Sequence, residues 1–171
     1  MSVSAQGIKR EEKPPLRERL FFGGSFGLQF GTITNIDISP IAGLWILPRV
    51  AIAGGPSFMY YKFYNDKTSI YGGHFYSQYL LLQDLDNILP IGLHTGIFLH
   101  IEDELLSLES DYWRNPSYSS NRFVANNVLL GGGIRQQMGR RSFMHLTALW
   151  KISDSGYSIY SDPEIRISFS F

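Results

Sequence analysis

The chain reads as all-β: an eight-stranded antiparallel up-and-down transmembrane β-barrel with a plugged polar lumen. Three observations predict it. First, charge is scarce in the body. Of 15 basic and 15 acidic side chains, eight lie in residues 1–19, so the next 152 residues carry only 22. That is about 14%, against about 25% in soluble domains. Second, the longest apolar run, Ile41–Leu47, is seven residues, far short of the roughly 18 a membrane helix needs. Third, hydropathy alternates with period two in eight segments, without helical periodicity. A body too apolar for water, with no spanning helix, is left with a closed barrel, which satisfies its own backbone in lipid.

The elements follow in order. Residues 1–5 resemble the end of a secretory signal, with Val3 and Ala5 as the small residues before a cut at Gln6. Residues 6–19, charged and holding Pro14-Pro15, read as a periplasmic tether. Residues 20–171 make the barrel. Leu20–Gly31 sets Leu20, Phe22, Phe26 and Leu28 against Phe21, Gly23, Ser25 and Gln29. Asn35–Ile46 sets Ile36, Ile38, Ala42 and Leu44 against Asp37, Ser39 and Gly43. Val50–Tyr64 is strongly apolar. Tyr71–Leu82 sets Phe75, Tyr79 and Leu81 against His74, Tyr76 and Gln78. Ile91–Glu102 sets Ile97, Leu99 and Ile101 against His94, Gly96, His100 and Glu102. Phe123–Gln137 sets Val128, Leu130 and Ile134 against Asn127, Gly131, Gly133 and Arg135. Ser142–Ile152 sets Met144, Leu146 and Trp150 against His145, Thr147 and Lys151. Glu164–Phe171 sets Ile165, Ile167, Phe169 and Phe171 against Glu164, Arg166, Ser168 and Ser170. Each is close to the 9–11 residues of a tilted membrane strand.

Leu47–Arg49, Asp84–Asn87 and Met138–Arg141 read as tight turns at one end. Asn65–Ser69, Leu106–Asn121 and Ser153–Asp162 read as longer loops at the other. That asymmetry predicts short periplasmic turns, outer loops and periplasmic termini. The composition of the two faces orients the wall. The polar face is rich in Gly and Ser, which suits a narrow interior. The bulky face is too large for eight strands to enclose, so it is expected to contact lipid.

Several stretches together resemble a family of small outer-membrane β-barrel proteins of Bacteroidota. They are Pro15–Gly24, Ile36–Pro40, Tyr71-Gly72-Gly73, Leu130–Gln136 and Pro163–Phe169. The resemblance implies the fold and an outer-membrane location; it brings no activity or catalytic residue with it.

Six charges fall on the predicted lumen face: Asp37, Glu102, Glu164, Arg135, Lys151 and Arg166. Three of each sign predict an internal ion-pair network, because buried charges need partners. His74, His94 and His100 are also expected inside. His94 and His100 are six residues apart, roughly 20 Å along a strand, so they cannot share an ion. No metal, cofactor or catalytic residue is expected. The outer loop offers serines without a histidine, and Gly131–Gly133 is followed by no Lys-Ser/Thr, so it is no phosphate loop.

Two further sets stand out. Ile165, Ile167, Phe169 and Phe171 have the alternation of a C-terminal signal for the barrel-assembly machinery. Tyr112, Trp113, Arg114 and Tyr118 have the composition of an interface anchor for another outer-membrane protein or a surface glycan, or of a headgroup girdle. The zero net charge offers nothing to nucleic acid. The expected function is a non-enzymatic structural or adaptor subunit of an envelope complex. The alternative is a narrow pore or a membrane-embedded enzyme with an outer-loop site.

Overall fold

A computed structural model describes residues 14–29, 33–63, 66–88, 94–112, 121–153 and 163–171. The signal remnant, tether residues 6–13, and Trp113, Arg114 and Tyr118 lie outside the described residues. Eight strands run β1 (Leu20–Gln29), β2 (Ile33–Leu47), β3 (Val50–Phe63), β4 (Asp66–Leu82), β5 (Thr95–Glu109), β6 (Arg122–Gln137), β7 (Phe143–Lys151) and β8 (Glu164–Ser170). Each pairs antiparallel with its sequence neighbours, and β8 returns to β1, so the sheet closes. The closing seam pairs Gly23 with Ser170, Gly24 with Phe169 and Ser25 with Ser168. Phe22 and Phe171 extend it by exchanging main-chain hydrogen bonds of 2.9 and 2.8 Å.

Where faces are expected, the strands show them, with His94 as the exception. Phe22, Phe26, Phe75, Leu99, Leu146, Trp150 and Ile167 stand exposed outside, while Ser39, His74, Gln78, His100, Glu102, Thr147 and Ser170 are buried inside. Gly131 and Gly133 face the lumen where β6 bends hard against β7. A Cβ there would come within 1.9 Å of the Ala148 carbonyl oxygen and 2.0 Å of the Leu146 carbonyl oxygen. Only glycine permits that approach.

Several expected boundaries move. The last part of the tether is not plain coil: Leu16–Arg19 forms one helical turn, α1, after Pro15. Proline's fixed φ suits a helix start, and Arg19 Nε anchors the turn to the Trp45 carbonyl at 2.7 Å. Asn65–Ser69 is not a long loop, because β4 already begins at Asp66. Asp84–Asn87 is not a tight turn. Residues 83–94 connect β4 to β5, with a 3-10 turn over Leu85–Asn87 capped by the Asp84 carboxylate, which accepts from Asp86 N at 3.0 Å.

The largest shift is in β5. It spans Thr95–Glu109, not Ile91–Glu102, so Leu106–Glu109 are wall and not loop. The reason is an inversion of polarity. Beyond Glu102 the inward positions turn apolar: Leu106 and Leu108 join Met59, Ile70, Phe123 and Ala125 in one buried cluster. The outward positions become mixed: Asp103, Ser107 and Glu109 are polar, while Leu105 and Val124 remain exposed and apolar. Arg122 lies outside and donates to Glu109 Oε1 at 3.1 Å and Ser107 Oγ at 3.0 Å, while its guanidinium covers the Tyr71 ring at 5.1 Å. A reading that expects polar residues inside ends the strand at the inversion.

Candidate functional site in the barrel lumen

Alternation brings the lumen charges together from three strands. His100 and Glu102 are two apart on β5, and Glu164 and Arg166 are two apart on β8, so each pair shares the inward face. Tyr76 and Gln78 come from β4, in register with Glu102 and His100. The Arg166 guanidinium lies between two carboxylates. Its Nη1 donates to both oxygens of Glu102 at 2.7 and 3.0 Å, and its Nε and Nη2 donate to Glu164 Oε1 at 3.1 and 2.9 Å. Arginine's planar fork suits this double grip. The Gln78 amide donates to His100 Nδ1 at 3.1 Å, which leaves the His100 Nε2–H to donate to Glu102 Oε2 at 2.8 Å. The Tyr76 ring packs against His100 at 4.6 Å and stacks at 6.2 Å on His74.

The other expected network members are placed differently. Asp37 accepts from Ser39 Oγ at 2.8 Å. Lys151 follows Leu149 on the inward face of β7, and Leu149 is in register with Glu164. Arg135 does not join the cluster. Its guanidinium lies 4.2 Å from the centre of the Phe143 ring and 5.6 Å from that of Trp45. At that level of the lumen it meets aromatic faces, so cation–π contact replaces an ion pair. His94 is not in the lumen at all. It precedes β5 at the end of the barrel, exposed to solvent, and pairs through Nδ1 with Asp84 Oδ2 at 2.8 Å. That contact draws His94 above its ordinary value and holds the Asp84 carboxyl below its own.

One interior residue escaped the sequence reading, and one expected on the lumen face stands apart from the ion pairs. Glu104 is buried on β5, so four inward carboxylates and not three face the three cations among the described residues. Carrying the period of two past Glu102 would have found it. His145 is buried and shares a 2.9 Å hydrogen bond between its Nε2 and Ser170 Oγ. That is a serine–histidine contact, but Nδ1, where an orienting carboxylate would sit, has no hydrogen-bond partner among the described residues. A nucleophile needs its base oriented by a third group, so this pair reads as interior packing.

The lumen has three levels. The apolar cluster lies toward the β5–β6 end. The Arg166 cluster crosses the middle, beside a cavity with about 20 Å³ of room for water centres. One water needs about 10–15 Å³, so this is space for a single water. Toward α1 the lumen widens to a mouth of about 150 Å³, lined by Phe21, Trp45, Phe143, His145, Arg141 and Glu18 of α1. Among the loop residues, Tyr112 sets its ring edge-on to Tyr61 at 6.1 Å. Ile165, Ile167, Phe169 and Phe171 all point outward and are exposed.

The fold is that of an eight-stranded outer-membrane-type barrel. No protein-family model matches the sequence, and no curated protein matches it. A solved structure does match by shape: the N-terminal β-barrel domain of Pseudomonas aeruginosa OprF, with a TM-score of 0.54 at 10% identity, over 89% of this chain and 94% of that one. The likeness supports the outer-membrane barrel class, but not the narrower Bacteroidota resemblance.

Proposed function

We propose that the protein is an integral outer-membrane barrel without enzymatic activity, serving as a structural or adaptor subunit of the envelope. The observation that carries the membrane reading is the outer wall. Every strand contributes exposed large apolar side chains, from Leu20 and Phe22 on β1 through Ile38, Phe58, Phe75, Leu99, Ile134 and Trp150 to Ile167 on β8. Soluble monomers rarely expose a contiguous patch beyond a few hundred Å², and a band encircling the barrel is what a bilayer covers. The likeness to the OprF domain supports the same location. The apolar cluster and the Arg166 cluster, packed at two levels of the lumen, favour a plug over a pore.

The orientation follows from the ends. The α1 end has the two-residue turn Pro48-Arg49, and the other end carries the β5–β6 extension with its mixed exterior. We place the α1 end in the periplasm. The alternation from Ile165 to Phe171 gives the assembly machinery an exposed strand to read, on the strand that closes the seam. Trp113, Arg114 and Tyr118, with Tyr112, are assigned to docking another outer-membrane protein or a surface glycan.

The test is reconstitution. The barrel should be monodisperse only in detergent or bilayers and should give no single-channel conductance in planar bilayers. Monodispersity in plain buffer would overturn the membrane reading; steady conductance would overturn the plug. Loss of a co-purifying protein on joint replacement of Trp113 and Tyr118 by Ala, at unchanged melting temperature, would support docking. A lowered melting temperature with the partner retained would place these rings in the girdle instead.

A further inference from the structure

The α1 end carries charge in an uneven arc. Going round the rim, the β6–β7 turn holds Arg140 and Arg141, α1 at the β8–β1 seam holds Arg17 and Arg19, and the β2–β3 turn holds Arg49. These three positions are consecutive. The fourth, between β4 and β5, is acidic, with Asp84 and Asp86, and His94 already engages Asp84. Within the arc the described side-chain carboxylates reduce to Glu18.

None of the five arginines is in a salt bridge among the described residues. Their hydrogen bonds go to main-chain oxygens: Arg19 to Trp45 at 2.7 Å, Arg141 to Glu18 at 3.1 Å, and Arg49 to Leu81 at a long 3.5 Å. Arg17, Arg49, Arg140 and Arg141 are exposed. Guanidinium groups left without carboxylates, and presented together, match oxyanions that accept two parallel hydrogen bonds, phosphate above all.

The same rim says which phosphate. Leu16, Leu47, Met138 and Phe171 stand exposed beside the arginines. Apolar side chains next to a cationic arc mark the step from hydrocarbon to headgroup, where long basic side chains reach outward to phosphate. At the opposite rim the described arginine, Arg122, is already engaged by Glu109 and Tyr71, and the exposed cations are Lys62 and Lys67, whose ammonium groups lack the guanidinium fork.

We propose that the arc formed by Arg17, Arg19, Arg49, Arg140 and Arg141 binds the phosphates of anionic phospholipids in the leaflet at the α1 end. It thereby selects a lipid shell and fixes the depth of the barrel. The assignment rests on the membrane reading. Each cationic side chain near an anionic surface is worth about a fivefold gain in association.

The experiment reconstitutes the whole chain in vesicles of phosphatidylcholine and in vesicles of equal phosphatidylcholine and phosphatidylglycerol. Spin-labelled lipids then report which headgroup is enriched in the first shell. The expected result is insertion in both vesicles and enrichment of phosphatidylglycerol over phosphatidylcholine. Replacing Arg49, Arg140 and Arg141 together by Gln should abolish the enrichment. Replacing Lys62 and Lys67 of the opposite end by Gln should preserve it, and circular dichroism should show both variants folded. Excess soluble glycerol phosphate should not displace the labelled lipid; full displacement would make this a site for free phosphate and overturn the lipid assignment. Insertion without headgroup preference, or a preference that survives the triple replacement, would overturn the arc while leaving the membrane reading intact. Failure to insert in either vesicle would overturn both.

Discussion

On β5, Ile97, Leu99 and Ile101 face outward while Phe98, His100 and Glu102 face the lumen. A few residues on, Leu106 and Leu108 face the lumen while Ser107 and Glu109 face out. One strand is thus written in two opposite polarities. Backbone geometry is the same in both stretches, so the difference reflects what surrounds each. Where lipid covers the wall, large apolar side chains belong outside, and the narrow interior is left to hydrogen-bonded polar groups. Where water covers the wall, the ordinary rule of burial returns and the interior becomes a small apolar core. Asp103, which is exposed outside, and Asn126 beyond it mark the changeover. On the membrane reading proposed above, the inversion marks where the bilayer ends.

The comparison can be broken most forcefully in the polar stretch. Arg166 holds Glu102 and Glu164 together, and Glu102 is fully buried. Arg166→Ala leaves two carboxylates without their cation and should cost about 3–5 kcal/mol. Arg135→Ala should cost less, about 1–2 kcal/mol, because it loses aromatic contacts and a longer-range attraction to Asp84 but no buried ion pair. Equal costs in detergent unfolding would show that the cluster holds no special place. The apolar stretch should respond to volume instead. Leu106→Ala opens a cavity beside Ile70 and Phe123 and should cost about 2–5 kcal/mol.

The outer wall sharpens the contrast. Ile97→Arg sets a charge in the apolar-out stretch and should cost about 2–4 kcal/mol in bilayers. Val124→Arg lies past the inversion, near Asn126, and should cost about 0–1 kcal/mol. In micelles the gap between them should narrow, since detergent adapts around a charge. Equal penalties in bilayers would move the membrane edge beyond Val124.

Much of this was legible in the sequence. Period-two patterning fixes which residues share a face, so the eight strands, their inward sets and the closure at Phe171 could be read directly. The network could be read only in part. Glu102, Glu164 and Arg166 converge because register places β4, β5 and β8 around one level, and register is not written in local pattern. Arg135 misled for the same reason: its face was right, but its depth set it among Phe143 and Trp45. Glu104 lies one inward step past the expected strand end at Glu102, on the same period of two. His94 was misplaced because alternation continued formally through Gly92, His94 and Gly96, although the pairing of β5 begins only at Thr95.

The smallest expected effect lies outside both stretches, at the β4–β5 connection. His94 and Asp84 form a contact at 2.8 Å with His94 largely exposed. The hydrogen bond raises His94 above its ordinary 6.5 and lowers Asp84 below its ordinary 3.8. The contact favours protonated His94 and ionised Asp84. The His94 contribution is full below 6.5 and fades as pH rises through its raised value. The Asp84 contribution is full above 3.8 and is lost as pH falls through its lowered value. The pair is therefore complete between 3.8 and 6.5. Since both groups are open to solvent, melting temperature should scarcely change across that window. The readout is histidine titration by NMR in detergent. His94 should titrate above a free histidine, and Asp84→Asn should return it to the ordinary range while leaving the buried His74, His100 and His145 signals in place. If Asp84→Asn leaves the His94 titration where it was, the contact does not persist in solution. The connection would then contribute nothing to stability, unlike the two buried stretches.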